Sequence, residues 1–136
     1  MRPGVYIMPD IVLRGARIHY ELVGPEKGPA VALLNGIAMS VGHWKIIADL
    51  LTAEGYRVLL HDMRGQFLSD RPQGGYSLSA HASDLAALLQ YLDIGQAHIV
   101  GTSYGAETGL TFAREYRALA RSLTVIAGAA GYDAVL

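Results

Sequence analysis

Apolar residues in this chain follow two alternating patterns: short unbroken runs, and longer stretches in which they return every three or four positions. Ala30-Val31-Ala32-Leu33-Leu34 is a run of the first kind, and Tyr56-Arg57-Val58-Leu59-Leu60, broken only by Arg57, reads similarly; both predict buried strands. Between them Trp44, Ile47 and Leu51, with Ile46 and Leu50, keep helical spacing, and Glu54-Gly55 supplies a glycine stop. A second helix is predicted from Ser77, a suitable N-cap, to Asp93, with Leu78, Ala82, Leu85, Leu88, Leu89 and Leu92 along one face. Ala97-His98-Ile99-Val100 reads as the next strand, Ala106 to about Tyr116 as the next helix, and Ser122 to Ala127 as a further buried strand. Ahead of these, Ile11-Val12-Leu13 and Arg17 to Val23 flank Arg14-Gly15-Ala16, the pattern of a β-hairpin. The polar, glycine-containing stretch from Asp62 to Gly75 is a long loop.

Strands and helices alternating in this order imply an α/β domain on a doubly wound, mostly parallel sheet. Ligands gather beyond the carboxyl ends of such strands, and Asn35, Asp62, Ser103 and Gly128 stand there. The length, 136 residues, suits one domain, and a hydrophobic content of 51% is enough to build its core. Net charge is −1 and the 11 Lys and Arg are scattered, so a nucleic-acid partner is not expected. Absence of cysteine excludes disulfides and thiolate metal sites. No apolar run reaches the ~18 residues of a membrane span, and the first ten residues do not read as an export signal. A cytoplasmic protein is expected.

The chemistry concentrates in Gly101-Thr102-Ser103-Tyr104-Gly105, between a predicted strand and a predicted helix. A serine on so sharp a turn needs small residues two positions to either side, because a side chain there would collide with the adjoining elements. The turn lifts the Ser103 hydroxyl above the sheet, and the first amides of the following helix, that of Tyr104 included, face the same space. Those amides can hold an oxyanion.

From Ile11 onward the chain resembles the first half of an α/β-hydrolase of the esterase, lactonase and acyltransferase type. Gly101 to Gly105 is similar to that family's nucleophile elbow, with Ser103 as catalytic nucleophile. Leu33-Leu34-Asn35-Gly36-Ile37 resembles the strand end that usually reads His-Gly, and the resemblance gives the Ile37 amide the second oxyanion-hole position beside that of Tyr104. Asp62-Met63-Arg64-Gly65-Gln66-Phe67-Leu68-Ser69 resembles a structural loop, Asp-x-Arg-Gly-x-Gly-x-Ser, with Phe67 in place of the second glycine. Asn35 stands where histidine is usual, as in relatives of 3-oxoadipate enol-lactonase and in some acyltransferases of similar fold. Asn35, Gly36 and Trp44 are candidate pocket residues, with Phe67 and Tyr104 as further aromatics. Asp62 and Arg64 are expected to pair and brace their own loop.

The resemblance implies a triad ordered serine, acid, histidine, yet no histidine follows Ser103. Residues 1–136 are therefore expected to form the N-terminal part of one such domain, ending after about the sixth strand, with cap and C-terminal part absent and little activity alone. Among the histidines present, His61 at a strand end is the best stand-in for a base; His43 and His81 read as cap or surface residues, His19 and His98 as structural. Asp133 is a candidate acid. The expected function is hydrolysis of a small-molecule ester, lactone or thioester through an acyl-enzyme on Ser103, with no cofactor or metal. Acyl transfer and a non-catalytic ligand-binding or assembly role are the alternatives. A homo-oligomer, or association with the missing C-terminal half, is the expected way to complete the fold.

Overall fold

The computed structural model describes residues 9–128. The N-terminal hairpin is formed by β1 (Asp10–Leu13) and β2 (Ala16–Val23), joined through Arg14 and Gly15, both at positive φ as a two-residue hairpin turn requires. Then follow β3 (Ala30–Leu34), α1 (Lys45–Ala53), β4 (Arg57–His61), α2 (Leu78–Tyr91), β5 (Ala97–Thr102), α3 (Tyr104–Glu115) and β6 (Ala120–Ile126). The sheet has six strands in the order β1-β2-β4-β3-β5-β6. Both pairings of β2 are antiparallel, and those among β4, β3, β5 and β6 are parallel. The strands lie within two residues of their expected places, and α3 starts at Tyr104, two residues earlier than expected; β6, expected to be buried, is instead exposed or half-buried along its length, because among the described residues it is an edge strand paired only with β5. A 3-10 turn, Val41–Trp44, precedes α1, so Trp44 ends that turn rather than opening the helix.

Alternate residues of β3 and β4 point to opposite faces and build separate cores. Ala32, Leu34 and Leu59 join Ile99 of β5 under α2 and α3, where Leu85, Leu88, Leu89 and Phe112 are fully buried. Val31, Leu33, Val58 and Leu60 meet Trp44 and Ala48 on the α1 side. This second face is only partly covered. Ile46, Ile47 and Leu50, whose spacing marked the helix, stay exposed together with Val125 and Ile126 of β6. Ser77 caps α2 as expected, its hydroxyl accepting from the Ala80 amide at 3.1 Å. Among the described residues no helix is long and apolar enough to cross a membrane.

The expected Asp62–Arg64 pair does not form. Arg64 turns toward α2 and makes a two-pronged contact with Asp84, Nε–Oδ2 2.7 Å and Nη2–Oδ1 3.0 Å, while also donating to the Leu13 carbonyl. Asp62 instead accepts from the Val41 amide at 2.9 Å and the Leu68 amide at 3.2 Å. Each buried charge is satisfied elsewhere, Arg64 by α2 and Asp62 by backbone amides of the 3-10 turn and of its own loop. Arg14, half exposed, also pairs with Asp84.

Breaking the buried pair from the carboxylate side should therefore cost much more than removing the exposed cation. Asp84→Ala is expected to lower the unfolding free energy in urea by about 3–5 kcal/mol, because it strands Arg64. Arg14→Ala should cost about 1 kcal/mol or less. Equal losses in the two variants would contradict this reading.

Candidate active site

Ser103 is the single residue between the end of β5 and the start of α3, with φ 52° and ψ −118°. Its amide donates to the Ile126 carbonyl at 2.9 Å, and its own carbonyl accepts from the Ala106 and Glu107 amides at 2.9 and 3.2 Å. Backbone hydrogen bonds on both sides hold a positive φ that a non-glycine residue adopts only under strain. The side chain takes no part in capping α3 and is exposed. The flanking glycines are obligatory by distance. A β-carbon at Gly101 would lie 2.2 Å from the Gly105 carbonyl oxygen, and one at Gly105 would lie 2.2 Å from that of Leu34. The first turn of α3 therefore sits directly on the ends of β5 and β3, and its leading amides face the serine.

Asn35-Gly36-Ile37 leaves β3 alongside this turn, with Gly36 packed against the Thr102 carbonyl and against Met39. Among the described residues the Ile37 and Tyr104 amides have no hydrogen-bond partner, and both residues line one cavity. The Asn35 and Trp44 side chains do not line it. The Asn35 amide is fully buried, its oxygen accepting from Trp44 Nε1 at 2.9 Å and its nitrogen facing the His61 carbonyl, Asp62 Oδ1 and Gln66 Oε1 at 3.1–3.3 Å. Two polar side chains at one strand end satisfy each other more cheaply than either could be left unpaired. Gly36 is likewise buried and contributes only backbone. Gln66, not singled out by sequence reasoning, completes the network: Nε2 donates to the carbonyls of Gly36 at 2.9 Å and Ile37 at 3.3 Å, and Oε1 accepts from the Met63 amide at 3.0 Å.

The cavity has a volume of about 310 Å³ and is walled by Ile37, Met63, Gly65, Tyr76, His81 and Tyr104, with Arg64, Gln66 and Arg71 also lining it. It is small, apolar and aromatic, with a few polar groups, as small-molecule pockets are. Phe67 is exposed outside it, with φ 32° at the position where the similar loop carries glycine. His81 is not a surface residue. Only 3% exposed, it packs edge-on against the Tyr104 ring with centroids 5.5 Å apart. Burial pushes its imidazole below the usual range, opposed by Asp84 and reinforced by Arg64 and Arg14. The Tyr104 hydroxyl donates to the Tyr76 carbonyl at 3.2 Å and ties two walls together.

None of the other histidines approaches the serine hydroxyl by a hydrogen bond. His61 is buried beneath the Asn35 network, where desolvation, against the pull of Asp84 and with a small push from His81, lowers it to about 4. His43 caps its turn through Ser40, His19 pairs with Asp10, and His98 meets the Ser122 hydroxyl at 2.6 Å. Asp133 lies outside the described residues.

Two measurements check this geometry. Ser103→Gly should unfold at higher urea than Ser103→Ala, by about 1 kcal/mol, since only glycine relieves the positive φ and part of the relief is lost to the freer unfolded chain; equal midpoints would mean an unstrained turn. Stability should also rise with pH between about 4 and 6.5, the folded and ordinary values for His61, because the unfolded chain alone binds that proton there. The benefit is complete above 6.5 and fades as pH falls toward 4. His61→Gln should flatten the slope, and an unchanged slope would show that His61 is not held neutral.

The alpha/beta hydrolase fold pattern matches residues 29–135. A non-heme chloroperoxidase of Streptomyces lividans is 36% identical over 101 residues, covering 74% of this chain and 37% of that protein. A putative carbamate hydrolase, RutD, of Pantoea ananatis is 35% identical over 114 residues, covering 82% of this chain and 41% of that protein. The chain thus spans about two fifths of the length of these curated relatives. Among solved structures, the enol-lactonase of Burkholderia xenovorans superposes with a TM-score of 0.80 at 26% identity, over 85% of this chain and 45% of that one. Wild-type Cfl2 of Burkholderia cenocepacia gives 0.90 at 27% identity, over 98% and 46%. With a match across most of its length and an elbow that only two glycines could close, this chain belongs to the alpha/beta hydrolase fold family.

Proposed function

We propose that Ser103 is the nucleophile of a hydrolase acting on a small-molecule carboxylic ester, lactone or thioester. The carrying observation is Ser103 itself: exposed on a strained turn, its hydroxyl without a hydrogen bond among the described residues, and followed directly by the unpartnered Tyr104 amide. Attack of Oγ on the carbonyl carbon forms one C–O bond and places negative charge on the carbonyl oxygen. The Ile37 and Tyr104 amides stabilise that charge where it develops. A general base takes the serine proton and returns it to the leaving group as the C–O or C–S bond breaks. Water then attacks the acyl-enzyme by the same steps and releases the acid.

The acyl portion fits the cavity between Ile37, Tyr76 and Tyr104. Every histidine of this chain precedes Ser103, so on this reading the base is a histidine of a further polypeptide segment that seats against the edge of β6, which among the described residues pairs only with β5, and the 136-residue chain alone turns over slowly. Acyl transfer to an acceptor other than water would use the same serine and amides.

The protein that carries this chain, at its native length, should be labelled by a fluorophosphonate at Ser103, as seen by tryptic mass spectrometry. Ser103→Ala should abolish both labelling and ester hydrolysis. A folded protein that is not labelled would favour a ligand-binding role instead.

A further inference from the structure

Gln66 lies under the strand end that carries Ile37, and its side chain touches two successive peptide groups there. Nε2 donates to the carbonyls of Gly36 at 2.9 Å and Ile37 at 3.3 Å. The described residues contain no cis peptide, and in a trans peptide the C=O of one residue and the N–H of the next point in opposite directions. Holding the Gly36 carbonyl toward Gln66 therefore turns the Ile37 N–H away from Gln66, out of the buried network. The Met39 amide, at 3.1 Å from the same carbonyl, pulls in the same sense.

We infer that Gln66 is a positioning residue: it sets the Gly36–Ile37 peptide plane and so aims the Ile37 amide at the carbonyl oxygen of the substrate. The inference rests on the proposed role of that amide. Gln66 suits the task because its own position is over-determined. Its Oε1 accepts from the Met63 amide at 3.0 Å and from Asn35 Nδ2 at 3.2 Å, so both ends of the carboxamide are used and the amide cannot flip without losing contacts at each end. Asn35 is in turn fixed by Trp44 and Asp62. The indole and the carboxylate thus reach the oxyanion site through Asn35 and Gln66, without touching substrate. An apolar side chain at 66 would fill the same space and leave two carbonyls with weaker restraint. The alternative orientation of the peptide, with the Ile37 N–H turned inward, would then be open.

The test compares wild type with Gln66→Glu and Gln66→Met in the protein at its native length. Ester hydrolysis, thermal midpoint and the 13C shift of the Gly36 carbonyl are read together. An ionised carboxylate cannot donate to the two carbonyls, whereas a protonated one can donate to one of them; methionine cannot donate at any pH. Both variants should lose about 10- to 100-fold in kcat with KM nearly unchanged, since oxyanion donors act on the transition state rather than on substrate binding. In Gln66→Glu the rate relative to wild type should recover as pH is lowered, and in Gln66→Met it should not. The Gly36 carbonyl resonance should move upfield in Gln66→Met. Wild-type kcat in a folded Gln66→Met protein, or no recovery of Gln66→Glu at any pH, would overturn the inference. Ser103→Ala separates the two ideas. If it is inactive while the Gln66 variants run at full rate, only the positioning role fails; if it stays active, the hydrolase reading fails and the positioning role fails with it.

Discussion

The close approach of α3 to the ends of β5 and β3 is the constraint from which the site follows. Two backbones meet where no β-carbon fits, at Gly101 and Gly105, and one residue between strand and helix must then take up the whole change of direction. Ser103 does so at positive φ, with its amide tied to β6 and its carbonyl tied into α3. The conformational energy is small on the scale of the folded domain, and the parallel β3, β5 and β6 with Phe112 beneath them supply the packing that sustains it. As at any helix start, the first amide of α3 has no intrahelical partner, and among the described residues nothing else takes it.

A second layer of organisation is polar and buried. Asn35, Gln66, Asp62 and Trp44 form a closed set of hydrogen bonds at the ends of β3 and β4, and the Asp62 carboxylate reaches the backbone at Val41 and Leu68. A network of this kind is costly unless every member is satisfied, and it fixes backbone where an apolar core would tolerate sliding. The loop from Asp62 to Ser69, which leaves β4 on the way to α2, is thereby tied to the strand ends. Arg64 and Asp84 anchor the same loop to α2 from the other side. His61, buried between the layers, remains neutral, which spares the network a second buried charge.

Much of this was legible in the sequence, for reasons that differ by element. The short apolar stretches Ala30–Leu34 and Tyr56–Leu60, bounded by glycine-containing segments, read as strands buried on both sides, and Gly-x-Ser-x-Gly between strand and helix leaves few alternatives for residues 101–105. Partners were harder to read. Asp62 and Arg64 are two residues apart, and proximity in sequence suggested a pair; Asp84, twenty residues further on in a helix, could not be recognised as the true acceptor without knowing how α2 crosses the sheet. Trp44 and Asn35 looked like pocket residues because of where they lie in the chain, and their mutual hydrogen bond turns both inward. His81 misled in the opposite sense, since the first turn of a helix is usually solvated, whereas here it faces Tyr104. Gln66 carried one available signal, a polar amide directly after Gly65 in the loop, and its carbonyl partners at Gly36 and Ile37 could be found only in the structure.

The central claim is that the Ile37 and Tyr104 amides and the Ser103 hydroxyl converge on one point. A crystal structure of the protein after reaction with a phosphonate ester decides it most directly. The account predicts a phosphorus bonded to Ser103 Oγ, with one phosphoryl oxygen about 2.7–3.1 Å from both amide nitrogens. A phosphoryl oxygen that points to solvent, with Ile37 N–H turned toward Gln66, would contradict it.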